Sequence, residues 1–206
     1  MKGLYAITDT ANLSTETMLA RTEEILRAGA RLLQYRNKQA DENTRIAEAE
    51  ELYTLCRQYS VPLIINDDIA LAVQTGADGV HLGKTDSTIA DARERLGNKA
   101  IIGYSCYNDL DRAQQASKSG ADYIAFGAFF SSPSKPDAAH ATPEIIQTAK
   151  QRFKLPVVAI GGITPENGQS LIEAGADMLA VISGLYASET PFNTTTKYIN
   201  MFKTES

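Results

Sequence analysis

The chain has little cysteine, no cationic excess and no long apolar run, and each shortage removes a class of protein. Cys56 and Cys106 are its only cysteines and stand in no metal-ligand or redox spacing, so neither a disulfide framework nor a thiolate metal centre is expected. Twenty Lys and Arg face 25 Asp and Glu, for a net charge of −5, and the overall balance points to neither nucleic acid nor a membrane surface. No apolar stretch approaches the roughly 18 residues that cross a bilayer. The opening MKGLYAITDT turns polar too soon for a signal peptide, and a cytoplasmic protein is expected. No G-x-G-x-x-G follows an apolar run, which weighs against a dinucleotide fold, and no Ser-His-Asp or Cys-His arrangement suggests a covalent intermediate. What remains is an ordinary balance, 43% hydrophobic and 22% charged over 206 residues, enough for one domain with a substantial core.

Short apolar runs alternate with helical stretches throughout. The runs are GLYAIT (3–8), LLQYR (32–36), PLIIN (62–66), DGVHL (78–82), AIIGYS (100–105), DYIAFG (122–127), PVVAIG (156–161) and MLAVIS (178–183). Between them lie segments such as 44–59, where Ile46, Ala49, Leu52, Tyr53 and Cys56 recur at helical spacing. Strands that each feed a helix imply parallel pairing with crossover connections. A weak repeat agrees: AGAR (28–31), TGAD (75–78), SGAD (119–122) and AGAD (174–177) each end a helix at a glycine and begin a strand. The expected fold is α/β, a compact (β/α)8 TIM barrel forming a single domain over 1–206, with an open doubly wound sheet as the rival. One connection, SSPSKPDAAHAT (131–142), is long and aperiodic, as functional loops are.

In such a barrel the strand C-termini and the loops after them build the site. Gln34, Arg36 and Lys38 follow one another at every second position, so strand alternation would put an amide and two cations in one column. Nearby strand ends offer Asn66, Asp67 and Asp68, then Asp86, then Ser105, and the long loop adds Ser132, Ser134 and Lys135, while His81 lies mid-strand and His140 farther along the loop. Arg36, Lys38 and Lys135 would converge on a polyanion. Asp67 and Asp86, from adjacent strand ends, could share one hard cation such as Mg²⁺, which takes one or two carboxylates and leaves its other positions to water and phosphates. Gly161-Gly162 and the turn at Ile182-Ser183 offer backbone N–H groups at the usual phosphate position of this fold.

Plainer readings stand beside these. Asp68 is expected to cap the helix after it, and Asp86 could cap its own. Lys135 and His140 could be solvated loop residues, His81 a hydrogen-bonded core histidine, and the 34–38 column an exposed edge. Joint placement at strand ends favours two anion sites, one metal-assisted and one made of backbone.

QYRNK, INDDIALA, DGVHLGKTD, IIGYSCYN, FGAFFSSPSKPDA, VVAIGGIT and ADMLAVISGL, in this order over residues 3 to 188, resemble the thiamine-phosphate synthase family. The resemblance implies condensation of 4-amino-2-methyl-5-(diphosphooxymethyl)pyrimidine with 4-methyl-5-(2-phosphooxyethyl)thiazole, giving thiamine phosphate and pyrophosphate. It implies pyrimidine diphosphate bound by Gln34, Arg36, Lys38, Asn66, Ser105 and Lys135, and Mg²⁺ held by Asp67 and Asp86. Thiazole phosphate would lie on Ser132, Ser134, Gly162, Ile182 and Ser183, and Arg36, Lys38, Ser105 and Lys135 would act on the departing diphosphate. The implied chemistry is dissociative and needs charge stabilisation and positioning rather than a strong base, with the 131–142 loop as a cover against water. The partners would be small molecules, not nucleic acid or membrane, and the oligomeric state stays open.

The chain departs from the family pattern in three places. SPSK replaces T-x-T-K and keeps hydroxyls, Lys84 stands where Gln is common, and Tyr107 where His is frequent. A related family, the thiazole tautomerases, uses that histidine as acid and base, so Tyr107 argues against the same activity here. A catalytically silent binder of thiamine precursors is the other alternative; it should have lost Asp67, Asp86, Arg36 or Lys135, and all are present.

Overall fold

The structure, a computed structural model, describes residues 1–10, 13–131 and 141–203. Eight strands pair in parallel and in chain order until β8 returns to β1, so the sheet is a closed barrel and not an open doubly wound one. The strands are β1 (Gly3–Ile7), β2 (Leu32–Tyr35), β3 (Leu63–Asn66), β4 (Gly79–Leu82), β5 (Ile101–Tyr107), β6 (Tyr123–Phe126), β7 (Val157–Ile160) and β8 (Met178–Val181). Around them run α1 (Thr15–Ala28), α2 (Glu42–Tyr59), α3 (Ile69–Thr75), α4 (Ile89–Leu96), α5 (Leu110–Lys118), α6 (Pro143–Arg152), α7 (Gln169–Glu173), α8 (Ser183–Tyr186) and α9 (Pro191–Met201). Every run read as a strand from the sequence overlaps one, and β5 runs two residues past its run, to Tyr107.

Alternation divides each strand between two apolar layers. Tyr5, Ile7, Leu32, Ile64, Tyr123, Ala125, Val158, Met178 and Ala180 fill the barrel interior. Their neighbours, among them Leu4, Leu33, Ile65, Val80 and Leu179, pack outward against the helices. Helix starts follow local chemistry: Ser14, Asp41, Asp68, Thr88 and Asp109 each accept a backbone N–H of the first turn.

The repeat has a second half that glycine does not explain. Asp78, Asp122 and Asp177 each accept an N–H at the start of the preceding strand, from Leu63, Ile102 and Val157, at 2.7 to 2.8 Å. Each also pairs with a cation of the helix that leads into that strand, namely Arg57 of α2, Arg93 of α4 and Lys150 of α6. These staples lie at the strand N-termini, the barrel face that serves stability.

One expectation is corrected here. Gln34 points into the barrel, but β2 ends at Tyr35, so Arg36 and Lys38 stand in the loop beyond and do not continue a strand column. The change follows from Thr8: its hydroxyl oxygen accepts Arg36 N–H at 2.9 Å, and its proton goes to Arg36 C=O, so a side chain replaces the backbone acceptor that would continue the β1 ladder.

Candidate active site

The inner face is polar on one side of the mouth and apolar on the other. By alternation Gln34, Asn66, His81 and Ser105, from β2 to β5, share the inward top positions, whereas Ala125, Ile160, Ala180 and Ile7 continue the ring.

Asp67 leaves β3 through a tight turn. Asp68 N–H reaches back to Asn66 C=O at 2.8 Å, with Asp67 between them at φ 63°. Positive φ is tolerated by Asp but remains strained, and such strain gathers at functional sites. The turn is pinned to β4, because Asp67 N–H donates to His81 C=O at 2.9 Å. It presents the carboxylate to Lys38 Nζ at 2.9 Å and brings it within hydrogen-bond reach of the Asp86 carboxyl. Desolvation, and next the neighbouring Asp67, push the Asp86 carboxyl above its usual range. Asp86 accepts Gly83 N–H at 2.6 Å; it is not a helix cap, since Thr88 caps α4. Asp68 does cap α3, and it pairs with Arg45.

Two carboxyl groups forced together at an open mouth suit one hard cation, which would neutralise both and keep coordination positions for phosphate oxygens. Among the described residues no group of three or more His, Cys, Asp or Glu could cage a metal by itself. As a pair of carboxylates, Asp67 and Asp86 are a donor set that fits Mg²⁺.

The loop after β2 rests on a buried carboxylate. Glu48 of α2, 4% exposed, accepts Thr15 Oγ1 at 2.6 Å, Tyr35 Oη at 2.6 Å and Asn37 Nδ2 at 2.9 Å. Asn37 Oδ1 in turn accepts the N–H groups of Gln39 and Ala40. The segment carrying Arg36 and Lys38 is thus held from below, and Lys38 itself stays exposed on a cleft of about 500 Å³ shared with Asn66 and Asp67.

Inside the barrel a hydrogen-bonded chain crosses from β2 to β5. Gln34 Nε2 donates to Tyr5 Oη at 2.6 Å, and Tyr5 Oη meets Tyr123 Oη at 2.8 Å. Tyr123 Oη meets His81 Nδ1 at 2.9 Å, and His81 Nε2 meets Ser105 Oγ at 2.8 Å. Burial pushes the His81 imidazolium down to about 4, against the opposing pull of Asp67, so the ring is neutral at physiological pH. His81 is the hydrogen-bonded interior histidine of the plainer reading, yet it lies against a proposed site residue.

Across the mouth, Gly161 and Gly162 both have positive φ, at 108° and 62°. A Cβ on Gly162 would lie 2.6 Å from Phe130 O and Ser131 O, so this glycine also admits the loop after β6. Ile182 and Ser183 follow β8 at the start of α8. Ser132, Ser134, Lys135 and His140 lie outside the described residues, as does most of the 131–142 connection. Tyr107 ends a register shift that begins at Ser105 and has φ 55°; it is 50% exposed beneath the Arg112 guanidinium, with its hydroxyl near the Gly83 turn. Lys84 is exposed in the turn after β4, and nothing in the structure explains the charge there.

Glu48, Tyr5 and Tyr123 are the site-supporting residues that sequence reasoning missed. The tyrosines sit inside apolar runs and read as core, and Glu48 sits on a helix whose other carboxylates face solvent.

Known proteins resemble the chain over most of its length. The thiamine monophosphate synthase family model matches residues 4–185. The thiamine-phosphate synthase of Nitrosococcus oceani is 52% identical, covering 91% of this chain and 87% of its own. That of an Azoarcus species is 48% identical over 98% of each chain. Among solved structures, the thiamine phosphate pyrophosphorylase from Pyrococcus furiosus superposes with a TM-score of 0.87 at 32% identity, covering 98% of this chain and 96% of that one. Fold and comparisons together define a (β/α)8-barrel transferase acting on small molecules. The chain belongs to the thiamine-phosphate synthase family. No described helix is long and apolar enough to cross a membrane.

Proposed function

We propose that the reaction joins 4-amino-2-methyl-5-(diphosphooxymethyl)pyrimidine to 4-methyl-5-(2-phosphooxyethyl)thiazole with Mg²⁺ at Asp67 and Asp86. The observation that carries this reading is the pairing of those carboxyl groups beside Lys38, at the mouth of the polar half of the barrel. Gln34 and Asn66 would orient the pyrimidine, while Arg36, Lys38 and Ser105 meet its diphosphate. Lys135 joins them on the family resemblance alone. Bound Mg²⁺ would supply charge neutralisation at the diphosphate oxygens.

The bond from the benzylic-type carbon to oxygen breaks, and its electron pair leaves with pyrophosphate. The pyrimidine amino group donates into the ring and stabilises the cation that remains. The thiazole nitrogen lone pair then forms the new carbon–nitrogen bond. No residue has to abstract a proton from carbon, which agrees with a site of cations, amides and hydroxyls. The thiazole phosphate would rest on the backbone at Gly162, Ile182 and Ser183, with Ser132 and Ser134 added by resemblance.

The test mixes both substrates with the protein, with and without Mg²⁺, and follows pyrophosphate and thiamine phosphate together. Equal amounts of both, dependent on the metal, are expected. Folded protein that forms neither would end this reading.

A further inference from the structure

The chain from Gln34 to Ser105 has two possible proton orders. An amide N–H can only donate, so with Gln34 Nε2 on Tyr5 the order that leaves no buried proton unpaired sends the Tyr5 proton to Tyr123 and the Tyr123 proton to His81 Nδ1. His81 then carries its proton on Nε2 and donates it to Ser105 Oγ, which leaves the Ser105 proton free to point at the mouth. In the reverse order Ser105 would donate to His81 and show only lone pairs to the mouth. An anionic oxygen held there favours the first order and repels the second.

We propose that Tyr5, Tyr123 and His81 are positioning residues, a single directed hydrogen-bond chain that holds Ser105 as a donor toward the departing diphosphate. The proposal rests on the reading that Ser105 faces that group. The geometry supports more than generic satisfaction of buried hydroxyls. Tyr5 and Tyr123 are 1% and 0% exposed, and their rings cross edge to face at 87°. The Tyr123 ring stacks on His81 at 22°, so hydroxyl and imidazole are fixed in orientation as well as distance. Bonds in such a chain also polarise one another in a dry interior, which makes the terminal Ser105 proton a better donor than an isolated serine's.

Tyr123→Phe keeps the ring and removes only the hydroxyl that tells His81 which nitrogen to protonate. Steady-state kinetics with both substrates and Mg²⁺ should show kcat down at least about tenfold, with the KM for thiazole phosphate unchanged. The Ser105→Ala/Tyr123→Phe double variant should be no slower than Ser105→Ala, because one acts through the other. Nitrogen-15 spectra of the wild-type protein should show His81 as the Nε2–H tautomer, and Tyr123→Phe should shift it. Tyr5→Phe repeats the kinetic test one link further back should Tyr123→Phe fail to fold. A fully active Tyr123→Phe beside a crippled Ser105→Ala, losses that multiply, or an Nδ1–H tautomer would each overturn the proposal and leave the proposed reaction standing. A fully active Ser105→Ala overturns the proposal together with the role assigned to Ser105.

Discussion

Tyr123 lies in the space that a side chain on Gly103 would fill. The two are register partners across β5 and β6, and a Cβ on Gly103 would lie 1.9 Å from the phenol ring. Gly103 thus makes room for an aromatic residue to cross the barrel interior and deliver its hydroxyl to Tyr5 and His81.

Gly103→Ala should therefore expel the ring from its place. Overpacking of this kind costs about 1–3 kcal/mol, and the interior between rigid strands gives little room to relax. Urea unfolding should show a loss at the upper end of that range together with reduced turnover. Stability within about 0.5 kcal/mol of wild type would show that the ring moves aside freely.

Asp67→Asn removes the charge of one of the paired carboxylates and keeps a side chain that tolerates the positive φ of the turn. Mg²⁺-dependent turnover should vanish while the circular dichroism spectrum and melting temperature stay near those of wild type. Undiminished activity would refute Asp67 as the metal ligand.

Glu48→Ala takes away the acceptor of three side chains at once, namely Thr15, Tyr35 and Asn37. Leaving buried donors unpaired costs roughly 1–3 kcal/mol each in the worst case, so a total loss of about 3 kcal/mol is expected. The loop bearing Lys38 loses its support as well, and the KM for the pyrimidine diphosphate should rise. Tighter binding of that substrate would contradict the supporting role of Asn37.

Burial pushes the thiols of Cys56 and Cys106 up to about 12 from the ordinary 9.0. At pH 8 neither should react with a thiolate-selective reagent in the native protein, and both should react in denaturant. The folded state holds these protons more tightly than the unfolded chain does. Stability is therefore complete below the unfolded value and falls as pH rises from about 9 toward 12. The buried phenols of Tyr5 and Tyr123, also raised by burial, act in the same direction. Denaturation midpoints measured from pH 7 to 11 should decline through that window. A flat profile would mean that these groups ionise in place.

The barrel was legible because its signals are local. Alternating apolar runs and glycines at helix ends need no knowledge of the partner strand, and Gly29 and Gly76 do cap helices in the left-handed region. The inward direction of Gln34 followed from alternation too. Arg36 did not, because what ends β2 is the distant hydroxyl of Thr8. The Asp78, Asp122 and Asp177 carboxylates were read only as the last letters of a repeat, since their partners belong to the strand and helix before them. Asp67 and Asp86 emerged from their place at adjacent strand ends; the turn strain at Asp67 and the contact between the two carboxyls needed coordinates.

Because β1 hydrogen-bonds to β8, the first strand synthesised waits for the last. Until Met178–Val181 leave the ribosome, Gly3–Ile7 keeps an unpaired edge, and so does whichever strand is then the newest. Contacts of such long sequence separation form slowly. Closure of the ring, and with it the convergence of Tyr5 and Tyr123, thus belongs to the end of the chain's assembly in time, although both residues lie well before its C-terminus.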